Sequence, residues 1–316
     1  MRIYTKNQIE KAIDIPLLIT EIERGLIYYS KKQTMIAQSS FLRFEKPPGD
    51  VHIKSGAILD DEFYVVKIAS GFYDNPKLAL PSSNGLMLLF SQKTGELKAI
   101  LLDEGLLTDL RTALAGAIAA KYLANHPIKK IGIIGTGTQA REQLFNLQFV
   151  TACREVLIWG RNPAKAKAFS QDLRFSSFKI SLAKEIEEIP QNCDLIVTAT
   201  SSKNPLLFGD QLRPGTHITA VGADDYEKQE LDSSVFDKAD LIIVDSLSQC
   251  SQYGDLAHVK DIQNKPIMEL GAFLEKPKIR HKHLITVVDL TGIAIEDLQV
   301  AKAVFSSLKS IYKGDK

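Results

Sequence analysis

The sequence predicts an α/β protein: a doubly wound parallel sheet joined to a second, discontinuous α+β domain whose sheet is mostly antiparallel. Three observations carry this. Short apolar runs at 130–134, 155–159, 195–199, 217–221, 241–244 and 284–288 alternate with helical segments, as a parallel sheet requires. The first of these runs leads into Gly135-x-Gly137-x-x-Ala140 and then a helix. Ahead of it, Val51 to Leu102 is strand-rich, with runs at 64–69, 85–90 and 97–102 bounded by Gly, Pro, Asn or Asp.

Taken in order, residues 1 to about 30 read as helical. Ile9, Ala12 and Ile13 share one face, and Pro16 opens a second helix through Ile19, Ile22 and Leu26. Thr94-Gly95-Glu96 is a hairpin turn between the last two strands of the first half. Thr108 to Ala124 is an Ala-rich helix with Thr108 as its expected N-cap. From Gly292 to Tyr312 a final helix presents Ile293, Ile295, Leu298, Ala301 and Val304 on one face, expected to pack back on the first domain. The expected domains are therefore 1–115 with 293–316, and 116–292 between them.

At 316 residues the chain is long enough for two cores, and 45% hydrophobic with 24% charged residues is ordinary for a globular protein. A formal net charge of +1 provides no field favouring nucleic acid or a membrane surface. The start, Met1 to Asn7, lacks the apolar core of a signal peptide, and no run approaches the ~20 apolar residues of a membrane span. Cys153, Cys193 and Cys250 are odd in number and widely spaced, which argues against a disulfide framework and for inert packing groups. The histidines have no metal-ligand spacing. His281 and His283, in the basic stretch Lys276 to His283, read as a solvated loop, so no metal is expected. The expected location is the cytoplasm.

The glycine turn carries the first chemistry. Gly135 permits the tight turn, Gly137 lets a pyrophosphate approach the backbone, and Ala140 lets helix and strand pack closely. Thr136, Thr138 and Gln139 complete the loop whose N–H groups face the anion. At the end of the next strand, where an acidic residue ordinarily holds the adenosine ribose, stand Gly160, Arg161 and Asn162. An acid there would repel a 2′-phosphate, whereas Arg161 can pair with one. NADP(H) is therefore the preferred cofactor and NAD(H) a possible one; the alternative is that Arg161 is an exposed loop residue binding nothing.

Lys67-Ile-Ala-Ser-Gly-Phe-Tyr-Asp-Asn-Pro76, Leu107-Thr-Asp-Leu-Arg111-Thr112-Ala113 and Ala220-Val-Gly-Ala-Asp224 resemble the ornithine cyclodeaminase/mu-crystallin family, from about Arg43 to about Asp297. The resemblance implies a Rossmann-type nucleotide domain and a first domain that holds both the substrate pocket and a homodimer interface. It implies hydride transfer between nicotinamide and the α-carbon of a small amino or imino acid. Arg43, Lys67 and Arg111 match the family's binders of the substrate α-carboxylate, though each also reads as a structural ion pair. Three such cations would be costly together without an anion between them. Asp224 matches the catalytic carboxylate, with Asp225 as its neighbouring rival, and Lys67 is counted with it in catalysis. Thr200, Ser201 and Ser202 resemble the nicotinamide-side loop; Ser82, Ser83 and Asn84 lie where relatives touch nicotinamide or substrate. Ser83 and Thr112 are counted with the cofactor contacts.

One departure bears on the substrate. Thirteen residues before Lys67, where ornithine-handling relatives carry a glutamate for the distal ammonium, this chain has Lys54. A lysine there would repel a second ammonium and attract a second carboxylate; the alternative is that Lys54 points to solvent, since strand register slips easily. Asp289-Leu-Thr291-Gly292 is closer to the dehydrogenase-like members than to cyclodeaminases. The expected activity is an imine reductase or amino-acid dehydrogenase, with an acidic substrate such as iminosuccinate or aspartate. Ornithine cyclodeaminase and a non-catalytic, NADPH-binding crystallin-like protein are the alternatives.

Overall fold

The computed structural model describes residues 1–262, 265–277 and 283–313, so His281 and most of the basic stretch around it lie outside the described residues. The chain forms two compact units, Met1–Arg111 with Ile293–Lys316, and Thr112–Gly292.

The first unit opens with strand β1 (Arg2–Thr5), helix α1 (Lys6–Glu10) and helix α2 (Ile15–Ser30). The expectation of helix from residue 1 is corrected here: β1 pairs in parallel with Leu97–Leu102 at the edge of the sheet. Four residues are too few for period to separate strand from helix, and tertiary pairing decides. Strands β2 (Thr34–Ile36), β3 (Ser40–Glu45), β4 (Pro48–Ile58), β5 (Phe63–Phe72), β6 (Ser83–Ser91) and β7 (Leu97–Leu102) follow. They form a seven-stranded sheet ordered β1-β7-β6-β5-β4-β2, with β3 on β4 and every pairing but β1–β7 antiparallel. The turn after β6 takes Gly95 through φ +69°, as expected.

Alternation along the strands gives this sheet two different faces. Tyr4, Val65, Met87, Leu89, Ala99 and Leu101 point inward and are buried. They are covered by α2 and by the last helix of the chain, α10 (Ala294–Ile311). Gly25 on α2 makes that packing close, because a Cβ there would lie 2.8 Å from Gln299 Cγ.

Helix α3 (Leu106–Leu123) starts two residues before the expected cap. Thr108 therefore lies inside the helix, and the capping bond comes instead from Asp103, whose Oδ2 accepts the Leu107 N–H at 2.7 Å. Glu104 and Gly105 take positive φ (55° and 86°), turning the chain sharply enough for the helix to begin at once.

The second unit alternates β8 (Ile131–Ile134), α4 (Thr138–Leu147), β9 (Glu155–Trp159), α5 (Pro163–Ser170), β10 (Lys179–Leu182), α6 (Glu188–Asn192), β11 (Leu195–Thr198), β12 (His217–Ala220), α7 (Ser233–Lys238), β13 (Leu241–Val244), α8 (Leu247–Tyr253), β14 (Ile267–Glu269), α9 (Leu270–Glu275) and β15 (Thr286–Asp289). The eight strands are all parallel, ordered β10-β9-β8-β11-β12-β15-β13-β14. Its two outermost strands, β10 and β14, are short and partly exposed, without the apolar signal of the six read from the sequence. Cys193 and Cys250 belong to this core, all three cysteines are unbridged, and burial pushes the Cys193 thiol up to about 12. Among the described residues no helix is long and apolar enough to cross a membrane.

Candidate active site

In the first unit, β4 and β5 pair so that Lys54 stands directly opposite Lys67. Side chains opposite one another share a face, and this is the inward one. Lys54 is therefore buried rather than solvent-facing, at 6% exposure against 1% for Lys67. Arg111, on the first turns of α3, is buried as well.

Protein carboxylates meet these cations. Lys67 Nζ lies 2.9 Å from Asp297 Oδ2 and 3.1 Å from Oδ1. Arg111 Nη1 lies 3.0 Å from Glu296 Oε2, and its Nε lies 3.0 Å from Asp297 Oδ1. Glu296 and Asp297 sit in the first turn of α10, where the helix dipole favours negative charge. The structural ion pairs weighed from the sequence thus exist for Lys67 and Arg111. The three buried cations stand among the two carboxylates of α10, with a third buried carboxyl, Asp103, within electrostatic reach of Asp297.

Burial, then the nearby Arg111 and Lys54, pull the Lys67 ammonium down to about 7 against the opposing pull of Asp297. Burial alone would raise the Asp297 carboxyl; Lys67, Arg111 and Lys54 outweigh it and hold that group below the usual carboxylate range.

The same sheet face continues toward the strand ends. Two residues on lie His52 and Ala69, with Gly85 opposite Ala69; two further lie Arg43, Asp50, Gly71 and Ser83. The two rows of charge are thus separated by ~13 Å along the strands, four residues at the usual rise. Ala69, Gly71 and Gly85 leave a low floor between them. Arg43 is exposed on β3 and does not join the buried cluster; His52 Nε2 lies 3.2 Å from Asp50 Oδ1.

In the second unit the glycine turn follows β8. Gly135 has φ +130°, and a Cβ on it would lie 2.4 Å from the Ala199 carbonyl oxygen, so no other residue fits. A Cβ on Gly137 would meet nothing within 4 Å, and the α4 N-terminus beside it carries no side-chain cap. Thr136 and Gln139 are half-buried, Thr138 is exposed, and Ala140 is fully buried against the strand. An open space faced by uncapped helix N–H groups fits a pyrophosphate.

Gly160 packs closely on the glycine turn: a Cβ there would lie 2.5 Å from the Thr136 methyl, so a side chain at this position would require Thr136 to turn away. Arg161 is exposed beside it. Asn162 caps α5, its side chain accepting from Ala164 and Lys165 N–H at 3.0 and 3.2 Å.

Because β8, β11 and β12 are parallel neighbours, the loops after them leave the same edge of the sheet. Thr200 accepts the Ser202 N–H at 3.2 Å, and the Ser202 hydroxyl donates to the Asn204 carbonyl at 2.7 Å, while Ser201 is exposed. Asp224 follows β12, its Oδ1 2.5 Å from Lys228 Nζ. Asp225 instead accepts the Glu227 N–H at 3.1 Å within its own turn. Thr112 lends its carbonyl to Gln143 Nε2 at 3.0 Å. Among the described residues no group of three His, Cys, Asp or Glu side chains is placed to hold a metal.

The pattern of the ornithine cyclodeaminase/mu-crystallin family matches residues 1–311. The chain belongs to that family. The solved Thermococcus litoralis Δ1-pyrroline-2-carboxylate reductase, in complex with NADH and L-proline, matches with TM-score 0.90 and 29% identity over 98% of both chains. An archaeal alanine dehydrogenase dimer with bound NAD matches with TM-score 0.87 and 32% identity, covering 98% of this chain and 96% of that one. The iminosuccinate reductase of Paracoccus denitrificans is 32% identical over 247 residues, 76% of each protein.

In this member of the ornithine cyclodeaminase/mu-crystallin family, three charged residues beside the expected site escaped the sequence reading. Glu296 and Asp297 had the signal that singled out Lys67, a charge inside an apolar run, but the final helix was read only for its hydrophobic face. Lys228, four residues after Asp224, had the spacing of a helical ion pair without a long helix to suggest it.

Proposed function

We propose that this chain is an NAD(P)(H)-dependent oxidoreductase that interconverts a small imino acid and its amino acid, with a dicarboxylic substrate such as iminosuccinate or aspartate. The observation that carries this reading is the buried Lys54–Lys67–Arg111 cluster, three cations brought together in one unit with Lys54 and Lys67 facing each other across β4 and β5. Cations gathered this closely away from water are costly to keep charged, and an anionic ligand lowers that cost. Lys67 and Arg111 bind the α-carboxylate, and Lys54 takes the second carboxylate. A distal ammonium, as in ornithine, would instead meet Lys54 repulsively, which argues against the cyclodeaminase reaction. Arg43, Asp50 and Ser83 lie along the same sheet face, with Arg43 as a more peripheral contact for the substrate and Ser83 for the cofactor.

The residues of the glycine turn, with Arg161, Asn162, Thr112 and the Thr200–Ser202 loop, hold the dinucleotide. The absence of an acidic side chain at Gly160 and the exposed guanidinium of Arg161 support NADP(H) over NAD(H). Bound nicotinamide supplies or accepts the hydride at the α-carbon. Asp224, with the Lys228 ammonium against it, manages the proton on the substrate nitrogen, as base in oxidation or as counter-charge to the iminium in reduction. Lys67, titrating near neutrality, adjusts its charge to the bound carboxylate.

The protein is further proposed to be a homodimer. The outward face of the seven-stranded sheet exposes Ile3, Met35 and Leu102 beside the half-buried Tyr64, Leu88 and Phe90, an apolar surface that a second copy would cover. The dimeric state of the alanine dehydrogenase relative supports a second copy as the occupant. A cytoplasmic location agrees with three unbridged, buried thiols.

NADPH oxidation measured with oxaloacetate plus ammonia, pyruvate plus ammonia and cyclic imines tests the reading, with fastest turnover expected on the dicarboxylic imine. Proline and ammonia from ornithine, without turnover of any imine, would overturn it in favour of cyclodeamination. Asp224→Asn is expected to retain NADPH binding and lose roughly 100-fold or more in turnover, the scale of a lost acid–base group. Sedimentation of the native protein as a monomer would refute the dimer.

A further inference from the structure

Behind Asp224 lies a carboxyl group that no step above uses. Glu230 is fully buried, next to the isolated bridge that pairs Leu231 with Leu207. Its Oε1 accepts the Thr200 backbone N–H at 2.6 Å. Its Oε2 accepts the Gly222 backbone N–H and the Thr198 hydroxyl, each at 2.8 Å. Thr198 ends β11, Thr200 opens the loop beyond it, and Gly222 begins the segment that carries Asp224 beyond β12.

The β11–β12 ladder stops at Thr198 and Ala220, with one further bond from Val221 N–H to the Thr198 carbonyl at 3.0 Å. Past that point Glu230 supplies the acceptors that strand pairing no longer provides. Gly222 is its matching half: a Cβ there would lie 2.2 Å from the Thr200 carbonyl oxygen and 2.5 Å from Glu230 Cδ. The two loops thus approach too closely for any side chain. Glu230 itself is anchored, since Asp255 Oδ1 accepts the Glu230 and Leu231 N–H groups at 2.6 and 2.8 Å and the Glu230 carbonyl accepts the Leu206 N–H at 2.7 Å. Burial, and Asp255 behind it, push the Glu230 carboxyl well above the usual range, so the group is held in an environment that disfavours its charge.

We propose that Glu230 is a positioning residue for hydride transfer: it clips the Thr200–Ser202 loop to the Gly222-Ala223-Asp224 segment and fixes where the Asp224 carboxylate stands. This rests on the roles given above to Asp224 and the Thr200 loop. An amide in place of the carboxyl keeps the shape but turns one acceptor into a donor facing a backbone N–H, so one arm of the clip opens.

The test compares full-length wild type and Glu230→Gln by residue-resolved amide exchange and by steady-state kinetics. Exchange at Thr200 or Gly222 is expected to rise while the β8 amides stay unchanged. The kcat for imine reduction is expected to fall roughly 10- to 100-fold, the scale of a misplacement of about 1 Å. KM for the imino acid should stay within about threefold, because Lys67 and Arg111 are untouched. Unchanged exchange at both amides overturns the clip, and raised exchange with unchanged kcat overturns the positioning role. A wild type inactive on every imine sinks the activity assigned to the site, whereas the exchange comparison judges Glu230 independently. Should Glu230→Gln not fold, Thr198→Val removes one donor at nearly constant volume. It should raise exchange at Gly222 and lower kcat several-fold, and no change in either overturns the proposal.

Discussion

Lys54 and Lys67 face one another across β4 and β5, both buried, and Asp297 lies 2.9 Å from the Lys67 ammonium. Like charges directly opposite in a sheet are destabilising, so this pair needs a compensating charge. Asp297 supplies it at Lys67, and together with Glu296 it also meets the neighbouring Arg111.

If Lys54 takes the second carboxylate of a dicarboxylic substrate, Lys54→Met should penalise that substrate alone. KM for the dicarboxylic imine is expected to rise by roughly 10- to 100-fold, the worth of one close, partly desolvated ion pair. KM for a monocarboxylic imine should remain nearly unchanged or fall, since repulsion on Lys67 is relieved. An equal rise for both substrates would mean that Lys54 only supports Lys67.

Lys67 makes carboxylate binding depend on pH. Its ammonium titrates at about 7, and a bound anion favours the charged form. Below about 7 the lysine is already protonated and binding takes up no proton. Above it, binding must add one, so Kd should rise with pH by up to about tenfold per unit. Calorimetry of amino-acid binding in buffers of different ionisation heat should register proton uptake at pH ~8 and almost none at pH ~6. Equal uptake at both values would place the linked proton elsewhere.

Much of this is legible in the sequence because the decisive signals are local. The Gly135 turn, the six inner strands and the buried lysine in an apolar run each follow from a few consecutive residues. The partners of Lys67 and Arg111 were hidden, because Asp297 is 230 residues from Lys67 and only the packing of α10 brings it there. The facing of Lys54 was open because it depends on register, which β4–β5 pairing alone fixes. Thr108 shows the limit of local chemistry: its residue type suits a cap, but the positive-φ turn at Glu104 and Gly105 starts the helix earlier.

Cofactor choice turns on one strand end. Arg161→Ala should raise KM for NADPH by roughly tenfold and leave NADH little changed, since one exposed charge-assisted contact is lost. Gly160→Asp alone should impair both cofactors, because its Cβ would meet the Thr136 methyl at 2.5 Å. Adding Thr136→Ser removes that methyl and should restore turnover with a preference for NADH. Unchanged preference in Arg161→Ala would separate that arginine from the 2′-phosphate.

The buried carboxyls of the second unit should give stability a distinctive pH dependence. Glu230, Asp255 and Asp289 are all raised by burial, and Asp255 adds to the rise at Glu230 and Asp289. The folded chain therefore keeps protons that the unfolded chain releases above ordinary carboxylate values. Their contribution is fully present below those values and is lost as pH climbs toward the folded ones. Asp297 works in the opposite sense, its contribution being lost as pH falls below the usual carboxylate range. Lys67, lowered to about 7, adds stability with rising pH only above that value, so the comparison is best made below it. Thermal unfolding should give the highest Tm near pH ~5 and a decline of several degrees by pH ~7, the sign that raised carboxyls impose. Glu230→Gln has no proton to release there, so its decline should be shallower. Parallel slopes in variant and wild type would assign the dependence to Asp255 and Asp289 alone.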